Sequence, residues 1–369
     1  MTEHKMKNVV LLLADSRGIS TFPPVFQCAR ELKKIGCRVA VITSSEIDDQ
    51  NLKENFDEYV IVNKKSFTYE LIFITKELLK RKTDIVIAFE PRDAKNAVIA
   101  AMMKHRCKYV YYNLEVLDEE NVDAPGNMIR KIKFALFRKM ERMYLARCSC
   151  MVIQDEIRME LAKQYNLSHS NTFLIPNSYN YLSCNHPEIN ENNTCSVLYS
   201  GSLEEWSVKS LIEHAAKFEQ LSLTLSGWSR DGFINKYISG VGILNNIKIN
   251  LIKYTFTDYI EVVKKHDIGL VWYSGKTDNI RYISRSSGKY FMYLSCGKPV
   301  IVQNLPGIAD DVNKYKLGVV IESLDELNGA VDHIKQNYAF YSDNIAKHYP
   351  AIYAYNAVSK PFVGFIAGL

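Results

Sequence analysis

The sequence predicts an α/β protein that consists of two Rossmann-like domains in tandem. Strand-sized apolar runs alternate with helical segments of about 10 to 15 residues, and the same alternation begins again in the second half of the chain. Such an alternation forms right-handed βαβ units with a parallel sheet covered on both faces. The length of 369 residues also exceeds what a single hydrophobic core comfortably supports, so two domains are expected.

The first half begins with the apolar run Asn8 to Leu13, which is typical of a buried parallel strand. The next helix begins near Pro23, because proline is favoured in the first helical turn. Further strands are predicted at 38–43, 84–88, 108–112, 151–153 and 172–175. The helical patterns between them cover 69–80, 93–104 and 128–147. We place the first domain at residues 1–178.

Residues 179–194 are rich in Asn, Pro and Ser and have no apolar period, so they are predicted to form a linker. The strand patterns after this linker are 197–200, 221–225, 247–252, 268–272, 300–302 and 318–321. Helical patterns at 208–218 and 258–266 lie among them. We place the second domain at 179–345. The tail 346–369 is expected to pack back on the first domain, because its aromatic and aliphatic side chains need a surface to cover.

The composition indicates a globular chain in a reducing compartment. Hydrophobic residues make up 47% of the sequence and charged residues 24%, as is usual for a globular protein. The eight cysteines form no CxxC pair, so buried free thiols are expected rather than disulfides or zinc ligands. The net charge of +5 favours anionic partners, but it is too mild for a dedicated nucleic-acid-binding protein.

The sequence also bears on location. No apolar run approaches the roughly 20 residues that are needed to span a bilayer. The N-terminus has charges but only a short apolar run, which argues against a secretory signal. We therefore expect a cytoplasmic protein.

The stretch from Ser284 to Val302 combines a polar loop, a short helix and a buried strand. Ser286, Ser287 and Gly288 precede the apolar-periodic segment, and Gly297 ends it. The free N–H groups at such a helix start, with a lysine beside them, are suited to hold a phosphate group. The alternative is an ordinary serine-capped helix that a glycine terminates.

These motifs, in this order, resemble the GT-B glycosyltransferases, especially the family 4 and family 1-like group. The signature is Lys289-x-x-x-Tyr293-x-x-x-Gly297-x-Pro299-Val-Ile. Supporting motifs are Tyr199-Ser-Gly201, Leu225-Ser-Gly227 and Ile175-Pro-Asn-Ser178. The resemblance covers nearly the whole chain. It implies two Rossmann-like domains that face each other across a cleft, with a C-terminal helix that crosses back to the first domain.

The resemblance implies that the second domain holds a nucleotide-sugar donor, with a UDP-sugar expected. The residues that would hold the diphosphate are Arg285, Ser286, Ser287, Gly288 and Lys289. Gly201, Ser202 and Gly227 would let the backbone approach the nucleotide, and Tyr254 and Thr255 would line the base pocket. Neither a metal ion nor another cofactor is expected, because helix N–H groups and a lysine can neutralise the leaving diphosphate.

The acceptor side is assigned to the first domain. An inverting enzyme needs a base near the acceptor hydroxyl, whereas a retaining enzyme of this architecture needs none. Candidate carboxylates at strand ends or in loops are Asp15, Glu90 and Glu115, with Asp93 and Asp118 as further candidates. For each of them the alternative is an ordinary solvated loop charge. Arg17 and Gly18 resemble the family's acceptor-side loop.

Two departures from the family pattern stand out. Many members have a Glu-x7-Glu pair whose second carboxylate grips the ribose, and Ser284 and Met292 stand at those positions. The usual Gly-Arg is Gly201-Ser202. The leading interpretation is a glycosyltransferase for surface polysaccharide, glycolipid or glycoprotein glycan. A non-catalytic subunit that supports a partner transferase is the main alternative, and a nucleotide-sugar epimerase is a third.

The helical segment Met128 to Arg147 has seven cationic residues and one glutamate, interleaved with Ile, Phe, Leu and Met. This pattern predicts peripheral contact with the inner face of a membrane, where the protein would reach a glycan or lipid-linked acceptor. The alternative is a helix packed on its own sheet with a solvated basic face. The sequence leaves open whether the chain forms a homo-oligomer.

Overall fold

The computed structural model of the protein contains two compact units. The first unit comprises Met1–Asn177 together with Tyr355–Leu369, and the second unit comprises Ser178–Ala354. The structure describes residues 6–13, 19–47, 49–62, 67–104, 107–117, 119, 126–182, 195–217, 221–229, 232–241, 246–273 and 277–369, without the side chains of residues 67, 68, 92 and 238–241.

The first unit is built on a seven-stranded parallel sheet with the order β3-β2-β1-β4-β5-β6-β7. Its strands are β1 (Asn8–Leu13), β2 (Arg38–Thr43), β3 (Glu58–Ile61), β4 (Ile85–Phe89), β5 (Lys108–Tyr112), β6 (Cys150–Ile153) and β7 (Thr172–Leu174). Its helices before the linker are α1 (Pro23–Lys34), α2 (Gln50–Lys53), α3 (Phe67–Lys80), α4 (Pro91–Met103), α5 (Asn127–Leu145) and α6 (Glu156–Gln164).

The centre of this sheet is buried on both faces. Leu11 of β1 pairs in register with Val41 of β2 and Ile87 of β4, and all three side chains are inaccessible to solvent. Continuous apolar runs are therefore required here, and they are the runs that the sequence identifies. The sequence did not predict strand β3, because this strand has only four residues, is partly exposed and lies at the edge of the sheet.

Helices α3, α4 and α5 form one layer, in which α4 packs against both α3 and α5. The inward face of α5 carries a buried ion pair in addition to the buried Leu145. Arg138 pairs with Glu141, whose carboxylate accepts a 2.6 Å hydrogen bond from the Tyr111 hydroxyl. The Arg138 guanidinium also lies 4.3 Å from the ring centroid of Tyr165, and burial raises the pKa of Glu141. This buried ion pair therefore contributes to holding α5 in place.

The second unit has a six-stranded parallel sheet with the order β10-β9-β8-β11-β12-β13. Its strands are β8 (Ser196–Ser202), β9 (Ser222–Trp228), β10 (Ile247–Leu251), β11 (Ile268–Val271), β12 (Val300–Gln303) and β13 (Gly318–Ile321). Its helices are α7 (Glu205–Ala215), α8 (Phe233–Val241), α9 (Phe256–Lys264), α10 (Asp278–Arg281), α11 (Gly288–Ser295), α12 (Ile308–Tyr315), α13 (Leu327–Gln336) and α14 (Tyr338–Ile352). Both units are thus parallel α/β structures, as the sequence predicts.

The chain ends with two short helices that belong to the first unit, α15 (Tyr355–Val358) and α16 (Lys360–Gly368). The ring of Phe362 in α16 meets the rings of Tyr112 and Phe173 edge-on, at 6.4 and 5.6 Å between centroids. Residues 346–352, which the sequence analysis assigned to the tail, lie instead in α14 of the second unit.

Two further expectations can be compared with the structure. The seven cysteines among the described residues are buried free thiols, as expected, and Cys184 lies outside those residues. In the part of the chain that the structure describes, no helix combines the length and the apolar character needed to cross a bilayer.

In the second unit, α11 lies directly on β11 because Gly269 has no side chain. A Cβ atom at Gly269 would be 2.1 Å from Cδ2 of the fully buried Tyr293. The Tyr293 hydroxyl accepts a 3.0 Å hydrogen bond from the Ser200 backbone N–H at the end of β8. This packing sets the position of the start of α11 relative to the sheet.

We expect Gly269→Ala to destabilise the protein by about 1–3 kcal/mol or more, because the added methyl group overpacks the contact with Tyr293. Urea unfolding of the full chain measures the change. Gly329→Ala is the matched control, because a Cβ atom at Gly329 meets nothing within 4 Å and alanine favours the helical state. Equal stability of the two variants would contradict the packing argument.

Candidate functional site

Two glycines meet at the carboxyl ends of β8 and β9. Gly201 and Gly227 are partners in the parallel ladder, and a Cβ atom at Gly227 would lie 1.8 Å from the Gly201 carbonyl oxygen. The φ angle of Gly201 is +125°, which side chains rarely tolerate. No side chain therefore covers the carboxyl ends of β8 and β9 at these two glycines. Parallel sheets bind their ligands at the carboxyl ends of their strands.

The start of α11 lies at the same edge. Ser287 is its N-cap, and the Ser287 hydroxyl accepts a 3.4 Å hydrogen bond from the Tyr290 N–H. The hydroxyl of Tyr273, just after β11, also lies 2.7 Å from Ser287 Oγ. The N–H groups of Gly288 and Lys289 are in the first helical turn, where no intrahelical acceptor exists. These groups favour an anion.

Lys289 brings a positive charge to this edge. Its Nζ lies 3.9 Å from the ring centroid of Tyr199 and 4.8 Å from that of Tyr273, and 3.6 Å from where a Cβ atom of Gly201 would be. It forms an ion pair with none of the described residues. Burial lowers its pKa from 10.5 to about 7, because the rings replace water without supplying a negative charge. An anionic ligand would supply that charge.

Tyrosine and serine hydroxyls line the neighbouring strand ends. Ser200 Oγ lies 2.6 Å from the hydroxyl of Tyr259 and 2.8 Å from that of Tyr293. Ser226 Oγ lies 2.6 Å from the hydroxyl of Tyr254, whose ring stacks on Tyr259 at 6.5 Å. These contacts hold half-exposed aromatic rings beside the two glycines, as a planar ligand group requires.

Several of the residues predicted to bind the donor already have structural partners. The Arg285 guanidinium forms two 2.9 Å hydrogen bonds with the Asp311 carboxylate. The Thr255 hydroxyl is the N-cap of α9 and accepts a 3.1 Å hydrogen bond from the Asp258 N–H. The Ser286 hydroxyl donates to the Ile283 carbonyl at 2.5 Å. Their binding of a donor stays a prediction.

In contrast, the hydroxyl of Ser202, at the end of β8, is buried and has no hydrogen-bond partner among the described residues. It lies next to Gly201 in the chain, so a buried hydroxyl without a described partner stands close to the same edge. Of the predicted donor residues, the structure therefore brings the two glycines, Ser202 and the start of α11 together.

In the first unit, two of the candidate carboxylates follow neighbouring strands. Glu90 comes directly after β4 with a φ angle of +83°, and its N–H donates to the Tyr112 carbonyl at 3.0 Å. Glu115 follows β5 and is half-buried. Both affect the pKa of the fully buried Arg158 guanidinium. Burial lowers this pKa, whereas the carboxylates of Asp155, Glu115 and Glu90 raise it.

Arg158 was not identified from the sequence, since nothing near it marks an arginine that is buried beside two distant strand ends. The tyrosine cage around Lys289, formed by the rings of Tyr199 and Tyr273, was also not predicted, because nothing in the sequence shows that these distant residues come together. The predicted acceptor-side residues Asp15, Arg17 and Gly18, and the candidate Asp118, lie outside the described residues.

Comparison with known proteins places this architecture. Residues 244–354 match the sequence family described as "Glucosyltransferase 3-like, C-terminal domain". No curated protein matches the chain. The structure of Anabaena Alr3699/HepE in complex with UDP-glucose is similar over 98% of this chain and 100% of its own, at 14% identity and a TM-score of 0.74. The chain has the GT-B fold.

Two further solved structures agree with this assignment. Sucrose-phosphate synthase from Thermosynechococcus elongatus is similar over 98% of both chains, at 14% identity and a TM-score of 0.71. WaaG, a glycosyltransferase involved in lipopolysaccharide biosynthesis, is similar over 98% of this chain and 100% of its own, at 16% identity and a TM-score of 0.69. The resemblance to GT-B glycosyltransferases that the motifs indicated is thereby confirmed.

Within this GT-B fold, the positions of the expected carboxylate pair are unusual. Met292 is fully buried in α11, and the Ser295 hydroxyl donates to its carbonyl at 2.8 Å. Ser284 has a φ angle of +39°, and its buried hydroxyl has no partner in the described part of the chain. No carboxylate stands at either position. Among the residues that the structure describes, His, Cys, Asp and Glu side chains form no cluster that could hold a metal ion.

Because the pKa of Lys289 is about 7, anion binding at this site should depend on pH. Raising the pH from 7 to 9 removes the ammonium proton, so the affinity for UDP should fall on the order of tenfold or more. Isothermal titration calorimetry with UDP measures this dependence. Lys289→Arg should flatten it, since a guanidinium remains protonated throughout this range. The same steep profile in both proteins would exclude Lys289 as its origin.

Proposed function

We propose that this protein is a glycosyltransferase that moves a sugar from a UDP-sugar donor to an acceptor hydroxyl. The proposal rests on the position of the Lys289 ammonium. It lies beside Gly201 at the start of α11, and no carboxylate of the described residues pairs with it. The match to a glucosyltransferase-like domain and the UDP-glucose complex of HepE support a UDP-sugar as donor. Synthesis of surface polysaccharide, glycolipid or glycoprotein glycan is the role we propose.

In this proposal the second unit stabilises the departing diphosphate. The N–H groups of Gly288 and Lys289 and the Lys289 ammonium meet the negative charge as the bond to the sugar breaks, and no metal ion is needed for this. Ser202, Ser286, Ser287 and Arg285 are proposed as further contacts to the phosphates. Gly201 and Gly227 leave room for the nucleotide, and Tyr254 and Thr255 contact the base.

On the acceptor side, we propose Glu90 and Glu115 as candidates for a base, whereas the further candidate Asp93 is buried in the first turn of α4. Either carboxylate could take the acceptor proton in an inverting reaction, whereas a retaining reaction would leave them to bind acceptor hydroxyls. Both follow strand ends of the first unit, where side chains are placed for ligands.

We expect Lys289→Met to weaken UDP binding about tenfold to a hundredfold, because a charge-assisted hydrogen bond contributes about 1.5–3 kcal/mol. Calorimetry with UDP measures the affinity, and release of UDP from UDP-glucose measures turnover. Lys163→Met is the control, because Lys163 is exposed and paired with Glu160 on α6. Unchanged affinity and turnover in Lys289→Met would remove the basis of the proposed site.

The buried thioether of Met292 favours a second candidate function, a GT-B-like subunit that supports a partner transferase without catalysis. A chain that lacks a carboxylate for the ribose can still hold a nucleotide through its diphosphate contacts. The same two measurements separate the candidates. Binding of UDP without turnover of any nucleotide sugar would favour the supporting subunit, and binding with turnover would favour the enzyme.

We further propose that α5 docks the protein on the inner face of a membrane, where a lipid-linked acceptor would be reached. Large apolar side chains of α5 point into solvent: Met128, Ile129, Ile132, Leu136, Met140 and Met143. The exposed cations of the same helix include Lys131, Lys133, Lys139 and Arg142. An anionic lipid surface satisfies both groups, at about 1 kcal/mol for each cation near it.

Ile132→Asp and Leu136→Asp should each weaken binding to anionic vesicles about tenfold or more, because burying an apolar side chain of this size contributes about 1.5–3 kcal/mol. Flotation with phosphatidylglycerol-containing vesicles at low salt measures the bound fraction. Ile252→Asp is the control, since Ile252 is an exposed isoleucine of the second unit. Failure of the unmodified protein to float would refute docking through α5.

A further inference from the structure

An open groove of about 600 Å³ lies on the first unit between α3 and α4. It is lined by Leu71, Ile72, Thr75, Lys76, Leu79, Lys80 and Ile99. Its volume is within the range of sites that hold small ligands. No residue proposed above for the donor, the acceptor proton or membrane docking lies in it.

The groove exists because α3 has apolar residues on two faces. Ile74 and Leu78 point inward and are completely buried. Ile72, Thr75 and Leu79 follow a helical spacing of three and four residues on another face. Ile72 remains 62% exposed, and the sheet does not require it. The described parts of the protein therefore leave this second face partly uncovered, above all at Ile72.

The groove also contains polar groups that suit an amphipathic ligand. The Thr75 hydroxyl is buried and makes no hydrogen bond with the described residues. Lys76 and Lys80 stand one turn apart at the rim. Lys80 pairs with Glu77 at 2.9 Å, whereas Lys76 has no ion-pair partner in the described chain. A buried hydroxyl without a described partner and an exposed ammonium thus stand next to an apolar floor.

Further exposed apolar side chains lie on the other two helices of this layer. Helix α4 packs against both neighbours, and its last residues, Met102 and Met103, are exposed. Of the large apolar side chains that are exposed in the described residues, most lie in this one helical layer. Exposed apolar side chains are therefore concentrated on α3, α4 and α5.

We infer that the groove between α3 and α4 binds an acyl chain of an anionic phospholipid when α5 is docked on a membrane. The chain would cover Ile72, Leu79 and Ile99, the Thr75 hydroxyl would donate to an ester carbonyl, and Lys76 would meet the headgroup phosphate. Charge complementarity selects this occupant, because an apolar floor below a cationic rim matches a lipid better than an uncharged peptide. The inference rests on the proposed membrane docking and deepens it.

Photocrosslinking of the full chain tests this assignment. The probe is phosphatidylglycerol with a diazirine in one acyl chain, incorporated in phosphatidylcholine vesicles, and the labelled peptides are identified by mass spectrometry. We expect labels within α3 and α4 as well as within α5. Labels on α5 alone would overturn the groove while leaving membrane docking intact. Absence of vesicle binding would overturn both, and UDP binding would report separately on the donor site.

Two variants make the test specific. Ile72→Asp should reduce labelling of α3 and α4 about tenfold or more, because a carboxylate is strongly disfavoured beside an acyl chain. Lys76→Glu should weaken vesicle binding about fivefold or more through its charge. The matched controls are Phe340→Asp, at a side chain that is 54% exposed in the second unit, and Lys347→Glu on the same helix.

Labelling that is equal in Ile72→Asp and Phe340→Asp would contradict the inference. The molar mass in solution gives a further check, measured by light scattering for the unmodified protein and for Ile72→Asp. If Ile72→Asp converts an oligomer into a monomer, a second copy of the chain covers the groove and the lipid assignment is wrong.

Discussion

The contact between Tyr293 and Gly269 determines where the functional groups of the second unit stand. Because Gly269 has no side chain, the Tyr293 ring of α11 lies directly on β11. The Tyr293 hydroxyl then joins the helix to Ser200 at the end of β8. Because of these two contacts, the first turn of α11 and Lys289 reach the paired glycines. The contacts that we propose between α11 and the diphosphate depend on this placement.

The same placement has an electrostatic cost. Lys289 is held against the faces of Tyr199 and Tyr273, and no described carboxylate compensates its charge, so burial lowers its pKa to about 7. Lys289 is half-buried, and a charge that loses part of its hydration without gaining a partner disfavours the folded state. A diphosphate would remove this penalty on binding. The arrangement is therefore explained by a ligand more readily than by stability.

In the first unit, helix α5 has paired charges on its buried face and apolar side chains on its exposed face. On α5 the arginine and glutamate that form an ion pair face inward, whereas isoleucine, leucine and methionine side chains of the same helix face solvent. A helix that only covered its sheet would have its apolar stripe inside. The outward apolar face of α5, together with the exposed apolar side chains of α3, is the basis of the membrane contact that we propose for this helical layer.

Much of the fold could be predicted from the sequence, because buried parallel strands are continuous apolar runs, and Gly201, Gly227 and Ser287 have local conformational meaning that a sequence displays. Four features could be seen only in the tertiary structure. They are the tyrosine cage around Lys289, the ion pair between Arg285 and Asp311, the burial of Arg158 and the identity of the buried face of α5. These features join residues that are far apart in the chain. Helical periodicity shows that α5 has distinct faces, but only packing against β5 and its neighbours shows which face is buried.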